Sequence, residues 1–251
     1  SVMGEDTTRP LAIEHLKREG VNTSLIEIIK KEKSTFSVVL NYKGEKTILT
    51  GHIKHQYHLP KTFPKPVWLY VGEMGEGYEK VYKQIIDYAK RDGVLIAMNP
   101  GSIQIEEHKE SLYDVFPYLD VLFVNREEAQ ILTGEQSLEI HKLAGALFKR
   151  GPKHVIITDG KNGAYEYGGH ELRFCPIFPG KLVEATGAGD SFASGYLGAV
   201  MSGESCSEGL RWGAVNSSSV VGFVGPTKGL LSATKIRSFL KKRRSFKVKT
   251  V

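Results

Sequence analysis

Only two cysteines occur in the 251 residues, Cys175 and Cys206, and their separation fits no metal-ligating or redox spacing. A disulfide between them is feasible in principle. A reduced, cytoplasmic chain is the better expectation. No apolar run approaches the roughly 20 residues of a membrane span, so no membrane partner is expected. No secretory signal pattern opens the sequence. No Gly-x-x-x-x-Gly-Lys-Ser/Thr phosphate loop is present, so any phosphate binding has to rest on a different glycine turn. Acidic residues are missing from Thr227–Val251, which carries nine basic ones; without that stretch the net charge of +6 becomes −3 for residues 1–226. The basicity therefore belongs to a tail (Lys241, Lys242, Arg243, Arg244, Lys247, Lys249), expected as a solvated helix end. No aromatic-interleaved RNA motif accompanies it, which argues against a nucleic-acid partner.

What is present fits one large α/β domain across 1–251, with 41% hydrophobic and 25% charged residues. Asp6-Thr7-Thr8 and Pro10 start a helix with Leu11, Ile13 and Leu16 on its apolar face, ending near Gly20. Phe36, Val38, Leu40 and Tyr42 alternate with Ser37, Val39 and Asn41, then turn at Lys43-Gly44, which predicts a hairpin. His52, His55 and His58 are spaced three apart, but Pro60 and Pro64 mark a loop and no nearby carboxylate or cysteine completes a metal site. Val67–Val71 reads as a buried strand, and Glu73 follows its C-terminal end, where open α/β sheets bind ligands.

From Val67 onward strands and helices alternate: a helix over 78–91, strands at 94–98, 121–124 and 154–158, and helices over 125–134 and 138–150. That order predicts a mostly parallel sheet covered by helices. Asn125-x-x-Glu128 has the spacing of a capping box. Thr158-x-Gly160-x-x-Gly163 reads as a turn into a further strand at 164–167. Ser205 and Glu208 open a helix through Val221, whose small residues (Gly213, Ala214, Ser217) permit close packing on the helix before it.

The stretch Leu182–Gly203 concentrates the chemistry. A short extended segment is expected to turn on Gly187-Ala188-Gly189 and enter an apolar-periodic helix carrying Phe192, Tyr196 and Val200. A glycine-rich turn entering a helix leaves several amides unpaired and aimed one way, and the helix dipole adds positive charge, which suits an anion. Asp190 sits at its mouth, either as a helix cap or as a carboxylate able to take a proton from a hydroxyl.

Thr186-Gly187-Ala188-Gly189-Asp190 followed by Ser191-Phe192 resembles the C-terminal signature of the ribokinase-like (PfkB) carbohydrate kinases. Asn125-x-x-Glu128 and the Asn99-Pro100 pair are similar to further family segments. The resemblance implies a three-layer α/β/α sandwich with a small β lid over 34–58, through which a homodimer can form. It implies ATP-dependent phosphorylation of a sugar or nucleoside hydroxyl. Asp190 would be the base, and the Gly187, Ala188 and Gly189 amides the anion hole. Asn125 and Glu128 would organise Mg²⁺ and phosphates. Thr158, Gly160, Gly163, Asn216, Gly225, Lys228 and Gly229 would lie along the nucleotide, with Glu73 near the sugar. A K⁺ site beside Thr186 would take an Asp at position 184, and Glu184 puts that ion in doubt. The family's first strand and its Gly-Gly sugar-binding segment, about 50 residues, are not visible in this sequence. The alternatives are a catalytically inactive nucleotide- or sugar-binding protein and a vitamin-precursor kinase of the same superfamily.

Overall fold

The computed structural model describes residues 1–42, 45–51 and 53–251, and their contacts group them into two compact units, residues 1–95 with 101–115 and residues 96–100 with 116–251. The expected Lys43-Gly44 turn and His52 lie outside the described residues.

In the first unit, β1 (Val2–Gly4) pairs in parallel with β2 (Glu27–Ile29) around α1 (Arg9–Arg18). Asp6 rather than Thr8 caps α1: its Oδ1 accepts from the amides of Thr8 and Arg9 at 2.9 and 3.0 Å. The expected apolar face of α1 is not covered; none of its residues is buried and Leu11 is 70% exposed. The hairpin forms as β3 (Phe36–Tyr42) against β4 (Glu45–Gly51), with Phe36 opposite Gly51. Phe36, Val38, Val39, Leu40, Ile48 and Leu49 are all exposed, so the alternation does not bury one face. His55 and His58 face different acids, Glu32 and Glu27, and do not converge.

β5 (Trp68–Val71) leads to α2 (Glu79–Asp92), which buries Val81, Tyr82, Ile85 and Tyr88 and ends on left-handed Gly93. The short helices α3 (Ser102–Glu106) and α4 (Glu110–Val115) complete this unit. The exposed side chain of Glu73 lies against Gly101, where a Cβ would stand 2.2 Å from its Cγ.

The second unit is built on β6 (Leu95–Met98), β7 (Val121–Asn125), β8 (His154–Thr158), β9 (Ala164–Tyr167), β10 (Leu172–Cys175) and β11 (Lys249–Thr250), neighbours in that order. β6, β7 and β8 are parallel, while β9, β10 and β11 continue antiparallel. The sheet is therefore mixed: the expected parallel strands form one side, short connections reverse β9 and β10 on the other, and β11 joins there from far along the chain. The four apolar residues of β7 are all buried, as a strand covered on both faces requires. α5 (Arg126–Thr133) and α6 (Ile140–Phe148) follow β7.

The basic residues of the tail are solvated, as expected, but the segment that carries them is anchored. α9 (Ala233–Lys242) buries Ile236 and Leu240, Phe246 is buried beyond it, and β11 joins the sheet, with the basic side chains left in solvent.

α7 (Ala188–Met201) and α8 (Cys206–Val220) pack at near-backbone separation. A Cβ on Gly195 would stand 2.9 Å from the Trp212 carbonyl, and one on Gly213 would stand 2.9 Å from the Phe192 carbonyl. We expect Gly195→Ala to force the helices apart and cost about 1–3 kcal/mol. Urea unfolding followed by circular dichroism checks this; an unchanged midpoint would refute the close-contact account.

Candidate active site

The site is set by two strand ends and one helix start in the second unit. Asn125 at the C-terminal end of β7 lies opposite Thr158 at the end of β8. Asn125 Oδ1 accepts from the Glu128 amide at 2.8 Å, and Glu128 Oε2 accepts from the Asn125 amide at 2.8 Å. The capping box is complete, a device worth about 1 kcal/mol to the helix. It fixes the half-buried Glu128 carboxylate beside the strand ends.

Thr158, Gly160 and Gly163 line a cavity of about 320 Å³ together with Ala188 and Gly189. The residues after β8 form a tight turn, Gly160–Asn162, before β9 reverses direction. Gly163 has φ +101° and a Cβ there would stand 2.4 Å from the Cys175 carbonyl, so glycine is required for that turn to meet β10. Behind it, burial pushes the Cys175 thiol up to about 12, which leaves it an inert core group. Beside Gly160 nothing lies within 4 Å of a built Cβ, so the turn leaves its backbone open.

Leu182–Glu184 form no strand; the expected extended segment is an irregular approach to α7. Gly187 is the N-cap of α7 with φ +76°, and a Cβ there would stand 2.8 Å from Pro226 Cα. The Ala188 amide already donates to the Ala185 carbonyl at 3.2 Å, and Ser191 donates back to Gly187. The amides of Gly187, Gly189 and Asp190 have no acceptor among the described residues. The three amides open to an anion therefore keep Gly187 and Gly189 of the expected set, with Asp190 in place of Ala188. Asp190, exposed in the first turn, has no hydrogen-bond or ion-pair partner among the described residues.

Several residues expected along the nucleotide make contacts within the protein. Asn216 does not line the cavity. It is buried between the helices, where its Nδ2 donates to the Ser191 carbonyl at 2.8 Å and its Oδ1 accepts from the Leu231 amide at 3.0 Å. Its neighbours on α8, Ala214, Ser217 and Ser218, form the wall instead. Gly225, Lys228 and Gly229 are also outside the cavity lining. The Gly225 amide donates to Glu184 Oε2 at 3.0 Å, Lys228 lies over the Phe223 ring, and the Gly229 carbonyl accepts from Ser219 Oγ at 2.7 Å. Glu184 is buried and its other oxygen accepts from Thr186 Oγ1 at 2.5 Å. Each oxygen of the carboxylate expected at the K⁺ site is thus already engaged by the protein. Glu73 belongs to the first unit and is described there.

The sequence reading missed the segment after β10, where Pro176, Ile177, Phe178 and Gly180 close the cavity. An apolar pair bounded by Pro176 and Pro179 was the available signal.

The profile of the pfkB family carbohydrate kinases matches residues 1–232. The chain belongs to the pfkB family. Among curated pfkB-family relatives, a cytidine kinase of Thermococcus kodakarensis is 29% identical over 133 residues, covering 52% of this chain and 47% of that protein. A ribokinase of Haemophilus influenzae is 31% identical over 130 residues, covering 50% and 40%. These matches span less than half the length of either relative. Among solved structures, Arabidopsis thaliana ribokinase complexed with ribose and ATP superposes with a TM-score of 0.82 at 22% identity, covering 96% of this chain and 80% of that one. The nucleoside kinase of Methanocaldococcus jannaschii gives 0.77 at 21% identity, covering 97% and 80%. These likenesses show the ribokinase fold, an α/β sandwich. No helix among the described residues is long and apolar enough to cross a membrane.

The two glycines of the pfkB turn differ in what they tolerate. Gly187→Ala, with positive φ and Pro226 in contact, is expected to cost more than about 1 kcal/mol. Gly189→Ala, with nothing within 4 Å of its built Cβ, is expected to stay within about 0.5 kcal/mol of wild type. Parallel urea titrations of both variants check the contrast.

Proposed function

We propose that the chain transfers the terminal phosphoryl group of ATP to a hydroxyl of a sugar or nucleoside. The observation that carries this reading is the exposed, unpartnered Asp190 carboxylate, one residue beyond Gly189, which lines the cavity and has an amide without an acceptor. The names of the relatives, ribokinase and cytidine kinase among them, support a sugar or nucleoside as acceptor.

Phosphoryl transfer needs positioning and charge stabilisation more than covalent help from the protein. In this reading ATP occupies the cavity, with Thr158, Gly160 and Gly163 along it. The Gly187, Gly189 and Asp190 amides, at the positive end of α7, receive the phosphoryl oxygens. Asp190 takes the acceptor's hydroxyl proton as the oxygen attacks.

The residues present fit Mg²⁺: Glu128 supplies a carboxylate and Asn125 an amide next to Thr158, the oxygen chemistry a hard cation takes. Bound there, the ion would offset negative charge on the phosphates. ATP and Mg²⁺ are both present in the solved complex of an Escherichia coli protein described as a candidate ribokinase II, which has this fold. Asn216, Gly225 and Gly229 act at one remove, by holding the helices and the loop that shape the cavity. This reading does not extend to K⁺.

The test is ATP turnover with Mg²⁺ across a panel of sugars and nucleosides, with Asp190→Asn alongside wild type. We expect turnover on at least one acceptor and a fall in kcat of at least about 10²-fold in the variant, with ATP binding retained. Equal turnover in the variant would remove Asp190 as base. ATP binding without turnover on any acceptor would favour a nucleotide-binding role.

A further inference from the structure

Three side chains that take no part in the reading above converge at the other end of β8. His154 opens that strand, whereas Thr158 closes it at the cavity. His154 Nδ1 lies 2.7 Å from Glu166 Oε1 on β9 and 4.0 Å from Sγ of Cys206, the first residue of α8. One donor atom from each residue lies within 4.8 Å of the other two.

Two further features point to a ligand in this space. Tyr196, fully buried on α7, directs its hydroxyl toward Cys206, yet that hydroxyl has no hydrogen-bond partner of normal geometry. A buried hydroxyl left without a partner is costly unless something completes the site. Gly168 lies over the cluster: a Cβ there would stand 3.1 Å from His154 Nδ1 and 3.2 Å from Glu166 Oε1. A glycine at that position keeps the approach to both donor atoms open.

We infer that His154, Glu166 and Cys206 form a site for a divalent transition metal of Zn²⁺ type, separate from the phosphoryl-transfer centre. An imidazole nitrogen, a thiolate sulfur and a carboxylate oxygen make a borderline-soft set that suits Zn²⁺, whereas Mg²⁺ and Ca²⁺ select oxygens alone. Donor atoms around a tetrahedral Zn²⁺, at about 2.0–2.3 Å from it, stand roughly 3.3–3.7 Å apart. His154 and Glu166 would have to separate by about 1 Å at most, and Cys206 to close in.

The ion takes the place of the proton shared by His154 Nδ1 and Glu166 Oε1. The imidazole keeps its proton on Nε2, the thiol proton leaves to solvent, and no electron changes hands. Cys206 at the first position of α8 faces the positive end of that helix, which favours sulfur as thiolate. Around the ligands, Arg173 Nη1 donates to Glu166 Oε2 at 2.7 Å and fixes the carboxylate, and the Tyr196 hydroxyl gains an acceptor in the thiolate.

The test is a Co²⁺ titration of the chelator-treated full chain, read by absorption and independent of any kinase assay. We expect a thiolate-to-cobalt charge-transfer band in the near ultraviolet that saturates at one ion per chain, and competition by Zn²⁺. Cys206→Ser should abolish the band with unchanged circular dichroism. Gly168→Ala, which keeps all three ligands, should weaken binding at least about tenfold. Cys175→Ser should leave the band intact. A wild-type chain without the band, or a band that survives Cys206→Ser, overturns the site.

Discussion

The second unit depends on how closely α7 and α8 approach. Gly195 and Gly213 put each helix against a carbonyl of the other, and Gly209 lies against the Tyr196 ring. At that distance a single methyl group displaces backbone, not a flexible side chain, so the spacing has little slack. Asn216 sits in the same seam and turns it from an apolar contact into a specified one, since its amide bonds fix α7 at Ser191 and the chain entering α9 at Leu231. The helix carrying Asp190 is therefore set by its partner helix at least as much as by the turn before it.

The turn itself is held from outside. Gly187 adopts a left-handed conformation with Pro226 pressed on it, and Glu184 reaches from the approach segment to the Gly225 amide. These contacts couple the loop at 225–229 to the start of α7. The loop's far end is fixed to α8 through Ser219 and Gly229. Residues that resemble ligand contacts by their place in the sequence thus stabilise the geometry that presents Gly189 and Asp190. The distinction matters chemically: removing a ligand contact weakens binding, whereas removing a brace moves the amides that would hold the charge.

Much of this was legible beforehand, and the reasons are local. The Asn125–Glu128 box and the left-handed Gly134 at the end of α5 are written within a few residues of each other. β7 and β8 read as buried strands because they are apolar without alternation. The α7 start was visible because glycine spacing encodes backbone conformation directly. What was not legible depended on facing and on distance. Periodicity places Asn216 on a helix but does not say whether its face meets a cavity or a neighbouring helix. β1, β2 and β11 are two or three residues long, too short for a pattern, and are held by partners distant in sequence. The hairpin alternates as a half-buried strand would, yet both faces are exposed. His154, Glu166 and Cys206 share no spacing at all; only the sheet order and the start of α8 bring them together.

The way the chain finishes its sheet has a consequence for solubility. β10 would otherwise offer a row of unpaired backbone groups, a template for strand addition by another molecule. β11 covers that row with Lys249 opposite Phe174. Being only two residues long and flanked by exposed Lys247, the new edge is too short and too charged to recruit a further strand. Of the basic stretch, Lys247 and Lys249 thus put charge at the sheet's last edge, a placement that opposes edge-to-edge association.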